Sequence, residues 1–155
     1  MRGRSSGSGN DRRPKVVFDS TILVSAFLTP NGLCDYLLRQ GRQGVFSLLL
    51  SDAILAESRD VLVDDEILRE DYSYSDQDVA AFIHAVRGSA TLVKDIPPLP
   101  GVTRDPNDDM VVACAFAAHA HYVITRDKDL LTLGTYHHVK MIRPEEFMLV
   151  LREKE

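Results

Sequence analysis

The feature that most constrains this chain is a repeated alternation: short apolar, β-branched runs, each followed by a polar turn and a helical pattern. Lys15 to Asp19 (KVVFD) is the first such run, and the residues after it (STILVSAFL) read as a helix start. Phe46 to Leu50 (FSLLL), Ala90 to Ile96 (ATLVKDI), Tyr122 to Thr125 (YVIT) and Val139 to Ile142 (VKMI) are the others. Strands this short and apolar have no solvent-facing alternation, so they belong in a parallel sheet covered on both faces. The expected fold is α/β and doubly wound, with a mainly parallel central sheet of about five strands.

The segments between the strands carry the matching helix signals. Asn31-Gly32 after Pro30 breaks the first helix, and Leu33 to Arg39 resumes a helical pattern through Leu33, Tyr36 and Leu37. Ser51-Asp52 caps an amphipathic helix with Ile54, Leu55, Ser58, Val61 and Leu62 on one face. Asp64 to Tyr74 is acidic and poorly periodic. Ser75-Asp76 then caps a helix running through Val86 to a stop at Gly88. Asp105-Pro106-Asn107-Asp108-Asp109 opens a helix (MVVACAFAAHA) that is apolar nearly all round and therefore buried. Asp127 to Leu133 is a short helix, and Arg143-Pro144-Glu145-Glu146 starts the last one with Pro and acids in the first turn.

Ligand sites in open α/β sheets lie outside the carboxyl ends of the strands. Acids gather there in this chain. Asp19 ends the first strand, Asp127 follows Thr125-Arg126 at the end of the fourth, and Asp108 and Asp109 open the helix preceding that strand. Glu57 lies about two turns into the helix after the second strand, within reach of the same edge. Each acid alone is an ordinary cap or surface residue. Together they repel unless something neutralises them. Hard oxygen ligands with no accompanying His or Cys pair suit Mg²⁺ or Mn²⁺, and one or two such ions point to phosphodiester hydrolysis.

Charge sets a limit on how a nucleic acid is held. With 18 Lys plus Arg against 23 Asp plus Glu, the net charge of −5 excludes binding by bulk positive charge. The imbalance is local, because residues 52 to 78 hold ten acids and only Arg59 and Arg69. The rest of residues 14 to 155 carries twelve bases against twelve acids. If a metal takes up the strand-end acids, a positive phosphate track is left, with Arg104, Arg126 and Lys128 as candidate contacts. The stretch from Asp52 to Asp78 is then expected to be a solvated or partner-docking face away from that track.

Residues 1 to 13, rich in Gly, Ser and Arg, read as a flexible tail of the kind an expression vector appends, leaving residues 14 to 155 as a single domain. No apolar run is long enough to span a membrane, and the expected compartment is the cytoplasm, with Cys34 and Cys114 reduced and buried. His119, His121, His137 and His138 are read as surface or core residues rather than zinc ligands.

Three blocks carry a family resemblance. VVFDSTILVSAFL resembles the opening of PIN domains, SDAILAESRDVL their second motif with a helical Glu, and RDPNDDMVVACAFAAHAHYVITRDKDLL, closing on IRPEEFM, the third block of VapC-type toxins. The resemblance covers residues 15 to 149. It implies a three-layer α/β/α PIN-like domain and an Mg²⁺- or Mn²⁺-dependent endoribonuclease that hydrolyses RNA to 5′-phosphate and 3′-hydroxyl ends. It also implies a cognate antitoxin as partner, and the apolar early helices permit a homodimer. Asp19, Glu57 and Asp127 match the family's acidic positions, while Asp108 and Asp109 compete for the remaining one, with helix phase slightly favouring Asp109. The family's usual Asp-Thr-Asn is Asp19-Ser20-Thr21 here, so Ser20 keeps a hydroxyl, the usual amide becomes the hydroxyl of Thr21, and Thr125 offers a further orienting hydroxyl. That departure motivates the alternative of a catalytically weak PIN-like module that binds RNA or protein. A phosphoacceptor receiver domain ranks last, since it needs paired acids after the first strand and a Lys after the last.

Overall fold

The computed structural model describes residues 13 to 154. The tail read at residues 1 to 13 therefore lies outside the described residues except for Arg13, whose guanidinium donates to the Gly44 carbonyl at 3.2 Å. The chain forms β1 (Lys15–Phe18), α1 (Ser20–Leu28), α2 (Leu33–Arg42), β2 (Ser47–Leu50), α3 (Asp52–Asp64), α4 (Glu66–Tyr72), α5 (Asp76–Ser89), β3 (Thr91–Leu92), α6 (Pro106–Ala117), β4 (Tyr122–Ile124), α7 (Lys128–Leu133), β5 (Thr135–Tyr136), β6 (Val139–Ile142) and α8 (Pro144–Glu153).

The six strands form one sheet in the order β3-β2-β1-β4-β6-β5. All pairings are parallel except β5 with β6. Helices cover both faces, so β1 and β4 are buried and their near-continuous apolar sequence is accounted for. Val16, Val17 and Phe18 are fully buried, and Phe46 bridges Phe18 to Phe147 with ring centroids 5.8 and 5.0 Å away. Gly41 of α2 leaves room for this group, because a Cβ there would come within 2.8 Å of the Phe46 ring.

The chain order reverses at β1: β2 and β3 lie to one side, β4 and its successors to the other. That switch point opens a crevice at the carboxyl ends of β1 and β4. Register sets the residues there side by side, since Phe18 pairs with Ile124 and the next residues are Asp19 and Thr125. Capping fixes where the helices begin. Asp19, Ser51, Asp105 and Asp127 each accept a hydrogen bond from a first-turn N–H of α1, α3, α6 and α7 respectively.

Three elements differ from the sequence expectation. The third strand is two residues rather than Ala90 to Ile96: Val93 still donates to the Leu50 carbonyl at 2.8 Å, but Asp95 turns at φ 56° and the prolines that follow cannot donate to a sheet. The acidic segment after Asp64 contains a helix, α4, started by the Asp65 side chain on the Leu68 N–H at 3.1 Å and burying none of its residues. The sheet also gains β5, a hairpin partner of β6 turning through His137 at φ 54°, a left-handed position that in sequence is more often marked by Gly or Asn.

Candidate active site: an acid cluster at the strand switch point

Asp19 is 2 % exposed at the start of α1. One carboxylate oxygen accepts from Thr21 Oγ1 at 2.5 Å and from the Ile22 N–H at 3.3 Å; the other accepts from Thr125 Oγ1 at 2.6 Å. The two hydroxyls are themselves held by the loop after β4, because Thr21 Oγ1 accepts from the Arg126 N–H and Thr125 Oγ1 from the Asp127 N–H, at 3.1 and 2.9 Å. Burial raises the Asp19 carboxyl to about 6, against the pull of these hydrogen bonds and with a further push from Asp127.

Ser20 of the same motif serves the next acid, donating to the half-buried Glu57 carboxylate from across the α1–α3 contact. Burial raises Glu57, the Ser20 hydrogen bond opposes that, and the charges of Asp105 and Asp127 add to it. The Ser20 hydroxyl and the Thr21 hydroxyl, the latter in place of the usual amide, thus each orient a carboxylate.

Asp108 is 7 % exposed and its Oδ2 has no hydrogen-bond partner, alone in this among the buried side-chain oxygens and nitrogens of the described residues. Burial raises its carboxyl first, and sharing a proton with Asp127 and the negative fields of Asp127, Asp105 and Asp19 raise it further. Asp108, Asp127 and Asp129 each place one carboxylate oxygen within 4.8 Å of the others. Asp127 Oδ2 accepts from the Leu130 N–H at 3.0 Å.

The sequence preference for Asp109 over Asp108 does not match this geometry. Asp109 turns its carboxylate to the preceding loop, accepting from the Gly101 N–H at 3.0 Å and the Thr103 N–H at 2.6 Å. Burial pushes its pKa up, but those donors prevail and hold it below the usual carboxylate range. Asp109 is a loop anchor, and Asp108 is the residue of the pair that faces the other acids. The reason is rotation: adjacent helix residues differ by about 100°, and docking of α6 on β1 and β4 decides which one turns inward.

Asp129 escaped the sequence reading. Its one signal was the Asp-x-Asp spacing at the start of α7. Two of the three candidate phosphate contacts are already engaged: Arg104 is paired with Asp129 at 2.7 Å, and Arg126 grips Glu145 with both terminal nitrogens at 3.3 and 2.8 Å. Lys128 is exposed. The acidic stretch is not wholly remote from the site either, since Asp60 and Asp64 line the same hollow as Glu57.

The donor set fits a hard divalent cation: carboxylates only, one oxygen with no other partner, and like charges whose proximity lifts their proton affinity. A doubly wound α/β domain with carboxylates converging on its switch point is the class that fold and site define. The family model for the PIN domain matches residues 15–129, and the chain belongs to the PIN domain family. Among solved structures, a chain of VapBC2 from Rickettsia felis bound to a DNA fragment from their promoter has the same fold, with TM-score 0.54 and 10 % identity over 82 % of this chain and 96 % of that one. No curated protein matches the chain significantly. No single helix among the described residues is long and apolar enough to cross a membrane.

Proposed function

We propose that this protein is a metal-dependent endoribonuclease, the VapC-like toxin of a type II toxin–antitoxin pair. The observation that carries the reading is the buried Asp108 Oδ2, unpartnered among converging carboxylates, which in a chain of this family supports a cation position there. Asp108, Asp127 and Asp19 would hold Mg²⁺ or Mn²⁺, with Glu57 and Asp129 completing the acid set. When bound, the ion neutralises the carboxylates, polarises water for attack on phosphorus and stabilises the leaving oxygen. Thr21 and Thr125 fix Asp19, and Ser20 fixes Glu57, so the carboxylates need little rearrangement. Lys128 is free to meet a phosphate, while Arg104 and Arg126 must first leave their ion pairs. The VapBC2 likeness supports a protein antitoxin as partner; a homodimer is a further expectation.

Cleavage of a single-stranded RNA, with and without EDTA, tests this. Wild type is expected to cut only with Mg²⁺ or Mn²⁺, and Asp108→Asn to lose at least a hundredfold in rate. Cutting that persists in EDTA would refute the reading. The competing one, a binding module without catalysis, draws on the altered Asp-Ser-Thr motif; it predicts RNA retention without cleavage and poor Mn²⁺ binding by calorimetry. The hydrogen bonds made by Ser20 and Thr21 favour the active enzyme.

A further inference from the structure

The end of the sheet remote from the acids gathers cations. Lys15 opens β1, and its N–H donates to His121 Nδ1 at 2.9 Å. The His121 N–H donates in turn to the Lys15 carbonyl at 2.8 Å, and the His121 carbonyl accepts from the Lys140 N–H at 3.0 Å. Lys154, at the end of α8, acts on the same imidazole. Burial first, then the positive fields of Lys15, Lys154 and His138, push His121 below its ordinary value, and no acid is among these charges. Lys15, Lys140 and Lys154 are exposed, and none of them forms a salt bridge among the described residues, whereas Arg39, Arg59, Arg69, Arg87, Arg104, Arg126 and Arg143 are all paired with acids.

Rings adjoin these cations. His138 stacks on His119 with centroids 5.7 Å apart, and Phe116 lies 5.1 and 5.8 Å from His137 and His138. Tyr136 closes the group, 4.6 Å from His137. His119, His137 and His138 are exposed. His119 and His137 also take φ of 55° and 54°, a region that glycine enters more easily. Their rings are kept there at a conformational cost, and such positions gather at ligand sites.

We infer that this face, at the amino ends of β1, β4 and β6, is a second contact surface for single-stranded RNA, with the lysines on phosphates and the histidine and aromatic rings stacking on unpaired bases. α6 runs from the acids to this group over 12 residues, which separates the two surfaces by about 18 Å. The face therefore retains RNA and does not cut it. Cations alone suit any polyanion, but rings beside them suit bases, since every base has a π face. A duplex keeps its bases stacked inside, so the rings select unpaired strands. The net charge of −5 rules out binding by bulk charge, and a local group of unpaired cations is what a phosphate contact then requires.

The test is fluorescence anisotropy of a labelled oligouridine with the full-length protein in EDTA, where the acid cluster repels phosphate and cleavage plays no part; the nuclease reading is thus judged separately. Lys140→Gln and Lys154→Gln are each expected to weaken binding at least threefold. Lys94→Gln, the same change in net charge beside the opposite edge strand, should stay close to wild type. Removing all three lysines should flatten the slope of log K against log salt by about 2, at roughly 0.7 per phosphate contact. His138→Ala should cost at least fivefold, with His138→Phe restoring most of the loss. An RNA duplex of the same length, although more densely charged, should bind more weakly than the single strand. Equal losses in Lys94→Gln and Lys140→Gln, tighter binding of the duplex, an unchanged affinity in His138→Ala, or preferential binding to phosphatidylglycerol vesicles would overturn the surface.

Discussion

Replacing Asp19 by Asn should make the metal-free protein more stable at neutral pH, although it removes a candidate metal ligand. The Asp19 carboxyl is raised from 3.8 to about 6, mainly by burial. Between those two values the native state keeps a proton that the unfolded chain has lost. Stability supplied by this group is therefore complete below about pH 4 and disappears as the pH rises through 6. At about 1.4 kcal/mol per pH unit, the loss by pH 7 is roughly 3 kcal/mol. Asn avoids that ionisation and remains a good cap for the Ile22 N–H. It gives up one of the two hydroxyl donors, Thr21 or Thr125, at a cost of about 1 kcal/mol. The net expectation is a variant about 2 kcal/mol more stable than wild type at pH 7 in EDTA, with the advantage gone or reversed at pH 4.5. Urea denaturation followed by circular dichroism across that pH range measures it, and the comparison reports Asp19 together with the push its charge gives to Asp108. A difference that does not change with pH would refute the buried, raised carboxyl. Adding Mg²⁺ should then reverse the order if Asp19 is a ligand as proposed, because only wild type retains its carboxylate.

The two adjacent acids of α6 should behave oppositely. Asp108→Asn is expected to lower Mn²⁺ affinity at least tenfold by calorimetry while stabilising the metal-free fold at pH 8, whereas Asp109→Asn should cost about 1–2 kcal/mol in urea by loosening residues 101 to 103 and leave Mn²⁺ affinity within a few-fold. Wild type at a Mg²⁺ concentration a hundred times its Kd should gain about 2.7 kcal/mol, a rise of roughly 5–10 °C in Tm over the EDTA value by calorimetric scan. Gly41→Ala should destabilise by about 1–3 kcal/mol in urea despite the better helix propensity of Ala, because the new Cβ meets the Phe46 ring at 2.8 Å. Ser20→Ala should weaken Mn²⁺ binding several-fold by freeing Glu57, with Ser20→Thr restoring it, both read by calorimetry.

Much of the fold was legible because it is written in local chemistry. The buried strands β1, β2, β4 and β6 show as apolar runs, and Ser51, Ser75, Asp105 and Asp127 mark helix starts through their own side chains. β5 and the shortened β3 were hidden because a two-residue strand has no periodicity, and the hairpin turn uses His137 in place of Gly or Asn. α4 was hidden because it buries nothing and so carries no apolar stripe.

For the site, sequence by itself determined that acids stand at the carboxyl ends of β1 and β4, since a strand and its next residue are covalently adjacent. Tertiary structure decided which of them meet. Asp108 rather than Asp109 faces Asp127 because the rotation of α6 is set by how its apolar surface seats on the sheet. Ser20 reaches Glu57 only because α1 and α3 pack together. Arg104 and Arg126 look like free cations in sequence, yet close on Asp129 and Glu145, residues 25 and 19 positions away. Such pairings span the chain, and nothing in a local pattern of residue types records the rotation of a helix or the partner of a long side chain.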